Sequence, residues 1–424
     1  MEKYDIIIAG AGASGMMASI SAAREGMKVL LLEKMEKAGK KILITGKGRC
    51  NLTNTKEWSE FSRHIYPNPS FFKIAFKTFS NKDVLNFFNE IGVETVIERG
   101  DRAYPASGKA SDIVKALLSE IERLKVRVQL NSRVCDIVLN EGSVYKVKVE
   151  SGQGVQEIET SALIVTTGGL SYPLTGSTGD GHYFAKQIGL GINKTLPSLT
   201  AMKPVNFDLS LKGLLLKNVQ TKLFVGKDIL QEEFGDIEFT NNGFEGPIGL
   251  RISRKAVKAM SDGNRVTLLV DLKPALTEEQ LINRIDREFG NQVRIPLELI
   301  LKKLLPSQMV PYFIEELKLG RSKILSKKLP GEIYLIVDTI KNWKINVESY
   351  TGFERCVVTS GGITLNELVP KTMATRTINN LFFAGEVIDL DGDTGGYNLQ
   401  IAFSTGNLAG KSAAYLIKKS NTSS

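Results

Sequence analysis

The sequence has few of the residues that form disulfides or bind metals. Its 424 residues include three cysteines, Cys50, Cys135 and Cys356, and two histidines, His64 and His182. The cysteines are far apart and form no C-x-x-C pair, which excludes a disulfide framework and a cysteine-rich zinc site. Two histidines cannot form a histidine-based metal centre alone, so we expect no metal. Scattered cysteines are typical of a reducing compartment, and we expect a cytoplasmic location.

The chain also lacks long apolar stretches. No run reaches the roughly 18 uncharged apolar residues that cross a bilayer, so we expect no membrane span. The first apolar run contains Asp5 and is followed at once by glycines, which argues against a signal peptide. A hydrophobic fraction of 42% and a charged fraction of 24% are those of an ordinary globular protein.

The net charge is +9, which suits acidic ligands or nucleic acid. Residues 197–355 carry 24 Lys or Arg and 20 Asp or Glu, so the excess is not gathered in that segment. The sequence contains no polybasic block and no RNA-binding signature. We therefore interpret the charge as a mild preference for anions and expect a small-molecule substrate in preference to a nucleic acid. The oligomeric state is not predicted.

The first part of the chain carries a dinucleotide-binding pattern. A buried strand is predicted at 4–9, and G-x-G-x-x-G follows at Gly10, Gly12 and Gly15. The first glycine allows a tight turn, the second lets backbone approach a pyrophosphate, and the third lets a helix pack on the strand. The next strand ends at Glu33, at the spacing of the acid that binds a ribose diol. The predicted cofactor contacts here are Gly10, Gly12, Ala13, Ser14, Gly15 and Glu33.

A basic, glycine-containing loop follows Glu33 and leads to Gly-Lys-Gly-Arg-Cys-Asn-Leu-Thr-Asn at 46–54. Small residues alternate there with hydrogen-bond donors, where a nucleotide fold should meet its ligand. The alternative is a polar surface loop. The predicted cofactor contacts in this region are Lys34, Lys40, Gly46, Gly48, Arg49 and Asn51.

The sequence pattern changes at Pro197, and the earlier pattern resumes near Glu354. Before and after these points, buried strands run into glycines, as at Gly168 and at Gly385-Glu386. Between them, alternating strands are followed by Leu- and Lys-rich helices. We predict an α/β fold with a discontinuous, Rossmann-like domain at 1–196 and 351–424. The insertion is predicted to be β-rich at 197–272 and helical at 273–350.

Two nucleotide-domain segments separated by an insertion suggest a cofactor that spans both, and FAD is long enough. Its ADP half would lie on the first motif and its flavin half on the C-terminal segment. A helix predicted to begin near Asn398 would place its positive end beside the charge of a reduced flavin. The predicted contacts along this path are Val134, Thr167, Gly168, Gly385, Glu386, Gly396, Asn398, Leu399 and Gln400.

A second G-x-G-x-x-G is absent from the sequence, so no separate NAD(P) domain is predicted. Either a nicotinamide cofactor, NAD(P)H, docks transiently over the flavin, or the substrate exchanges electrons directly with it.

Three motifs, at 46–54, 175–181 and 395–400, together resemble the BaiN-like family of NAD(P)/FAD-dependent oxidoreductases, which includes aminoacetone oxidase-like proteins. The resemblance covers nearly the whole length. It implies an FAD domain, an inserted β-barrel-like domain and a helical domain. The activities it implies range from reduction of a steroid enone to oxidation of an amine. In the insertion the family often has Thr-His-x-Gly-x-Ser-Gly-Pro, whereas Asn241 and Glu245 replace the histidine and serine here.

The leading hypothesis is an FAD-dependent oxidoreductase that acts on a small organic substrate by enone-type reduction or amine oxidation. The alternatives are a flavoprotein that acts on tRNA and a non-catalytic, flavin-bound interaction protein. We expect the substrate to lie over the flavin, between the C-terminal segment and the insertion, because pockets favour domain interfaces. The candidate catalytic residues are Arg49, Tyr397 and Glu245.

Overall fold

A computed structural model describes residues 3–422. The chain forms two compact units. The nucleotide unit consists of Met1–Pro197 and Phe353–Ser424, and the inserted unit consists of Ser198–Gly352. Among the described residues, no helix is both long enough and apolar enough to cross a membrane.

The chain before the insertion alternates strands and helices. Its strands are β1 (Lys3–Ala9), β2 (Val29–Leu32), β3 (Thr53–Asn54), β4 (Ile65–Tyr66), β5 (Thr95–Glu98), β6 (Arg102–Pro105), β7 (Arg127–Gln129), β8 (Arg133–Asn140), β9 (Ser143–Ser151), β10 (Gly154–Val165) and β11 (Ile192–Ser198). Its helices are α1 (Ala13–Arg24), α2 (Lys40–Ile44), α3 (Trp58–Phe61), α4 (Pro69–Thr78), α5 (Asn81–Glu90), α6 (Ala110–Arg123) and α7 (Asp180–Gln187).

The inserted unit is a closed barrel with helices. Its strands are β12 (Met202–Pro204), β13 (Leu215–Val225), β14 (Asp228–Thr240), β15 (Gly243–Glu245), β16 (Val266–Asp271), β17 (Arg294–Pro296), β18 (Ile324–Ser326) and β19 (Trp343–Tyr350). Its helices are α8 (Gly246–Ser261), α9 (Glu278–Phe289), α10 (Leu297–Leu304), α11 (Val310–Glu316) and α12 (Pro330–Lys341). The barrel closes in the order β12-β15-β14-β13-β16-β19.

One strand of this barrel corrects the sequence interpretation, which placed 273–350 in a helical part. β19 is antiparallel to both β16 and β12 and closes the barrel. Its side chains alternate between buried and exposed, and Trp343 is 1% exposed. This alternation is the pattern of a strand with one face on the core. Within the same part, Thr277 and Gln280 form a capping box at the start of α9.

The chain after the insertion completes the nucleotide unit with β20 (Val358–Ile363), β21 (Leu381–Phe383), β22 (Asp391–Gly392) and α13 (Tyr397–Thr422). The main sheet has the order β7-β2-β1-β10-β9-β8, and β21 also pairs with β10. β1 is parallel to both β2 and β10, as a nucleotide-binding fold requires. The predicted α/β fold, with an inserted barrel and helices, is thus confirmed.

The strand β10 has two halves with different partners. Its first half pairs antiparallel with β9, whereas its second half pairs parallel with β1 and β21. The exposed first half is polar and the second half is buried on both faces. One continuous strand therefore serves both a hairpin and the centre of the sheet.

The two ends of the nucleotide unit are joined by close helix packing. A Cβ added to Gly406 would lie 2.3 Å from the Ser14 carbonyl oxygen, and one added to Gly410 would lie 2.4 Å from that of Ala18. Backbones can approach this closely only where side chains are absent. The small residues of α13 therefore hold the C-terminal segment against the first motif.

Candidate functional site

The candidate site is a cleft in the nucleotide unit that holds about 1230 Å³ of empty space, including space open to solvent. It lies at the ends of the parallel strands, the position at which α/β folds bind their ligands. The lining comes from both segments of the unit, at residues 9–14, 32–34, 37, 39–42, 45, 132–134, 166–168, 175–177, 180, 357–358, 385–386, 390, 398–399 and 401–402.

The three glycines of the first motif have different surroundings. Gly10 has a φ of +103°, and a Cβ there would lie 2.7 Å from the Thr166 carbonyl oxygen. A Cβ on Gly15 would lie 1.9 Å from the Gly10 carbonyl oxygen. A Cβ on Gly12 would meet nothing within 4 Å. Gly10 and Gly15 are therefore required for packing, whereas Gly12 leaves open space on the cleft side of the turn.

Helix α1 begins at this turn, and its first residues, Ala13 and Ser14, line the cleft. Its N-cap is Gly12, which provides no side-chain cap. The first-turn N–H groups have no partner within the helix and favour an anion. The Ser14 hydroxyl is buried without a hydrogen-bond partner and lines the cleft. A buried, unpartnered hydroxyl at a helix N-terminus fits the pyrophosphate of FAD.

Glu33 lines the cleft at the end of β2 and is 9% exposed. Its two carboxylate oxygens accept hydrogen bonds from the backbone N–H groups of Ala11, at 2.8 Å, and Met35, at 2.9 Å. Burial raises the pKa of the Glu33 carboxyl, although both N–H groups act in the opposite direction. Each oxygen keeps a further lone pair, so a ribose hydroxyl can still donate to it. The carboxylate therefore fits the ribose of the same cofactor.

A buried carboxylate that the sequence did not single out organises one wall of the cleft. Asp180 accepts hydrogen bonds from Lys34 Nζ, at 2.7 Å, and from Arg133 Nη2, at 3.0 Å. Burial would raise the pKa of Asp180, but these two cations outweigh it, and the pKa lies below its usual value. Lys34, a predicted cofactor contact, lines the cleft with its ammonium committed to this cluster. The glycine-rich motif at 175–181, which contains Asp180, was the sequence feature that could have identified this residue.

A second ion pair links the two segments of the unit. Lys41 Nζ lies 2.5 Å from Glu386 Oε2, and both residues line the cleft. Glu386 also accepts hydrogen bonds from the Thr359 N–H, at 2.9 Å, and from the Ser171 hydroxyl. Protein donors thus hold the predicted contact Glu386 in place. Sequence reasoning missed Lys41.

The far end of the cleft lies at the start of α13. Asn398 lines it, but its side-chain amide accepts from the Gly392 N–H at 2.8 Å and donates to the Gly392 carbonyl at 2.7 Å. The amide therefore fixes the preceding loop. The start of the helix lines the cleft through Asn398 and Leu399, followed by the apolar Ile401 and Ala402.

Many predicted cofactor contacts line this cleft, and their contacts with FAD stay predictions. They are Gly10, Gly12, Ala13, Ser14, Glu33, Lys34, Lys40, Val134, Thr167, Gly168, Gly385, Glu386, Asn398 and Leu399. Lys40 pairs with Glu36 at 3.0 Å. Gly15 lies behind the lining, where it packs on Gly10.

Other predicted contacts do not line the cleft. Arg49 is exposed, pairs with Glu98 and lies over the Tyr104 ring at 4.3 Å. The Gln400 amide accepts from the Thr53 hydroxyl at 2.6 Å and donates to the Phe79 carbonyl at 3.0 Å. A Cβ on Gly396 would lie 2.4 Å from the backbone of Thr53. These groups serve protein packing or a surface ion pair. Gly46, Gly48 and Asn51 also lie outside the lining.

The candidate catalytic residues are not brought together at the cleft. Tyr397 is 3% exposed, and its ring contacts those of Phe61, at 4.7 Å, and His64, at 4.6 Å. Glu245 belongs to the inserted unit, where it ends β15 opposite Glu238. Their roles, like that of Arg49, stay predictions. Among residues 3–422, no group of three or more His, Cys, Asp or Glu residues could hold a metal ion.

Comparisons with known proteins agree with this architecture. The family model described as "HI0933-like protein Rossmann domain" matches residues 4–412. The 3-dehydro-bile acid delta(4,6)-reductase of Clostridium scindens is 29% identical over 98% of this chain and 99% of its own length. The ribosomal RNA dihydrouridine synthase of Escherichia coli is 31% identical over 96% of each chain.

A solved structure shows a similar fold. The 3-ketosteroid delta1-dehydrogenase from Sterolibacterium denitrificans superposes with a TM-score of 0.56, over 98% of this chain and 100% of that chain, at 13% identity. The match over residues 4–412 and the full-length relative at 31% identity confirm the BaiN-like resemblance. The chain belongs to the HI0933-like family of Rossmann-fold, FAD-dependent oxidoreductases.

Proposed function

We propose that this protein reduces a carbon–carbon double bond that is conjugated with a carbonyl group, with FAD held in the cleft. The observation that carries the proposal is the full-length similarity to the Clostridium scindens reductase. The name of that relative specifies an oxidised carbon 3 and double bonds at positions 4 and 6, which is a conjugated dienone. We assign this chain the bond type and leave its small-molecule skeleton to experiment.

The chemistry of such a substrate suits the charges of the cleft. FAD in its reduced form would supply a hydride to the carbon β to the carbonyl, and a proton from solvent would add to the α carbon. The negative charge that develops on the carbonyl oxygen requires a donor or a positive dipole nearby. The chain's own residues bind and orient: Ser14 and the start of α1 hold the pyrophosphate, Glu33 holds the ribose, and the start of α13 faces the flavin end. Backbone groups on rigid helices provide this orientation without reorganisation.

A second candidate substrate is a uridine within RNA. The name of the Escherichia coli relative specifies dihydrouridine, the reduced form of uridine, in ribosomal RNA. The similarity extends over nearly all of both chains. The 5,6 double bond of uracil is conjugated with its 4-carbonyl, so saturating it requires the same hydride chemistry. The net charge of +9 is compatible with an RNA substrate. The two candidates therefore differ in what the substrate is attached to and share the bond that is reduced.

We propose NADH or NADPH as the source of electrons, docking transiently over the flavin. No comparison names an amine substrate among the relatives described above, and amine oxidation stays a prediction.

The test measures the absorbance of the bound flavin under anaerobic conditions. The bound flavin is reduced with NADPH, NADH or dithionite and is then mixed with cyclohexenone, a 3-oxo-Δ4 steroid acid or an unmodified ribosomal RNA transcript. We expect rapid reoxidation by at least one of them, with two hydrogens added to the product. Cyclohexanone is the matched control for cyclohexenone. If no conjugated substrate reoxidises the flavin while aminoacetone reduces the oxidised enzyme, the proposal is wrong.

A further inference from the structure

The inserted unit carries its excess charge in one part of its sequence. Residues 198–352 contain 23 Lys or Arg and 19 Asp or Glu. Residues 284–328 contain 10 Lys or Arg and five Asp or Glu. The rest of the unit therefore has no excess of positive charge. This segment covers the end of α9, the helices α10 and α11 and the two-stranded sheet of β17 and β18. We call the cations Arg284, Arg287, Arg294, Lys303, Lys327 and Lys328 the basic face.

One end of the basic face is built by α9 and α10. Arg284 and Arg287 are one turn apart on α9 and lie on the same side of the helix. The Arg284 Nη2 group donates to the Lys303 carbonyl at 3.1 Å, which brings the last turn of α10 beside it. Both arginines line a shallow cleft with the amide side chains of Gln280 and Asn283, together with Leu276 and the carboxylate of Glu288. Guanidinium and amide groups thus share one concave surface.

The other end is built by the antiparallel pair of strands β17 and β18. The Lys327 Nζ group donates to the Gly290 carbonyl, directly after α9, at 3.2 Å, and lies 5.6 Å from the centre of the Phe289 ring. Arg294 pairs in register with Ser326, the residue before Lys327. Lys328 follows. This strand pair therefore places three cations next to the end of the helix that carries Arg287.

The acids of the segment do not neutralise this face. Glu298 pairs with Lys302 at 2.6 Å, and Glu315 pairs with Arg321 at 2.6 Å. These cations lie outside the basic face. Arg287, Arg294, Lys303 and Lys328 are exposed and have no ion pair within residues 3–422. The remaining acids of the segment are Asp286, Glu288 and Glu316, which are three against the six cations of the basic face.

We propose that the basic face binds the phosphodiester backbone of folded RNA. The inference rests on the second candidate function, reduction of a uridine in RNA. Arginine forks match phosphate oxygens with two hydrogen bonds, and the amides in the cleft suit sugar and base groups. An anionic membrane is the competing partner, because Val293 and Ile324 are exposed close to the cations. The amide-lined concave surface favours RNA, since a membrane surface needs no such groups.

The experiment compares two triple variants of the FAD-loaded, full-length protein. Arg287→Gln, Arg294→Gln and Lys328→Gln are combined in one. Lys73→Gln, Lys77→Gln and Lys115→Gln form the matched control, which removes the same charge from exposed lysines of the nucleotide unit. Binding of a labelled, unmodified ribosomal RNA transcript is measured by fluorescence anisotropy over a range of salt concentrations. Binding of phosphatidylglycerol vesicles is measured in parallel.

We expect the basic-face variant to bind RNA at least tenfold more weakly, with the slope of log affinity against log salt reduced by roughly 2–3. The control should keep the wild-type slope to within about 1. Equal losses in both variants, an unchanged slope in the basic-face variant, or vesicle binding without RNA binding would each overturn the proposal.

Reoxidation of the reduced flavin by cyclohexenone provides the independent readout. It should be unchanged in both triple variants, which shows that the fold and the cleft are intact. RNA that binds through the basic face without being reduced would refute the second candidate function and leave the basic face standing. Reduction of RNA by the basic-face variant at the wild-type rate and affinity would refute the basic face alone.

Discussion

The different surroundings of Gly12 and Gly15 lead to a sharp prediction about the first motif. A methyl group on Gly12 would meet no protein atom within 4 Å, and its φ of −82° is accessible to alanine. A methyl group on Gly15 would lie 1.9 Å from the Gly10 carbonyl oxygen and 2.6 Å from the Thr166 hydroxyl. Gly12→Ala should therefore damage cofactor binding without damaging the fold, whereas Gly15→Ala should damage the fold itself.

The magnitudes follow from these distances. Gly12→Ala should change the stability of the FAD-free protein by no more than about 0.5 kcal/mol, as an open-space substitution does. It should weaken FAD binding at least tenfold, or about 1.4 kcal/mol, because the methyl occupies the approach of the pyrophosphate. Gly15→Ala forces backbone apart and should cost about 3 kcal/mol, the upper range for overpacking. At roughly 2–4 °C per kcal/mol, its Tm should fall by about 6–12 °C.

The assay separates the two effects. The Tm of FAD-free protein is measured by calorimetry, and FAD is then titrated by fluorescence quenching. Gly152→Ala is the matched control, because Gly152 lies in an exposed turn with nothing within 4 Å of its added Cβ. The assigned roles of these glycines are wrong if Gly12→Ala retains wild-type FAD affinity. They are also wrong if FAD-free Gly15→Ala has the same Tm as the FAD-free wild type.

Three further predictions use the ionisable groups. Asp180→Asn should lower the free energy of unfolding by roughly 1.5–3 kcal/mol at neutral pH; because the folded pKa is lowered from 3.8, the difference in urea unfolding should disappear as the pH falls through that lowered value. Glu33 has a folded pKa raised from 4.5, so the FAD-free wild type should lose stability relative to Glu33→Gln as the pH rises through and above 4.5, and a pH-independent difference in urea titrations would contradict this. Burial raises the pKa of the Cys50 thiol to about 12, and Cys356 is also buried, so a thiol reagent should label Cys135 first in native protein; Cys135→Ser should abolish this early labelling.

The sequence by itself determined the features that depend on neighbouring residues. A buried strand, a glycine turn and a helix follow each other within residues 3–24, and their short-range geometry leaves few alternatives. The capping box at Thr277 is equally local and marked the start of α9. The family resemblance also rests on short motifs, each of which keeps its meaning without knowledge of the rest of the chain.

Only the tertiary structure decided which side chains remain available to a ligand. Arg49 and Gln400 both looked like ligand contacts, but one pairs with Glu98 and the other with Thr53 and Phe79. These partners lie from 49 to 347 residues away in the sequence. A donor that forms a hydrogen bond or ion pair within the protein is less available to a ligand. A local sequence pattern does not show which distant acceptor will lie beside it in the fold.

The same reason explains what sequence reasoning missed. Asp180 meets Lys34 from a distance of 146 residues, and Lys41 meets Glu386 from 345 residues. β19 becomes a barrel strand because β12 and β16 offer it two edges, although helices precede it in the chain. Burial and pairing between distant segments are set by the fold as a whole. Local sequence motifs therefore predicted where the cleft lies, whereas tertiary contacts determined which groups line it.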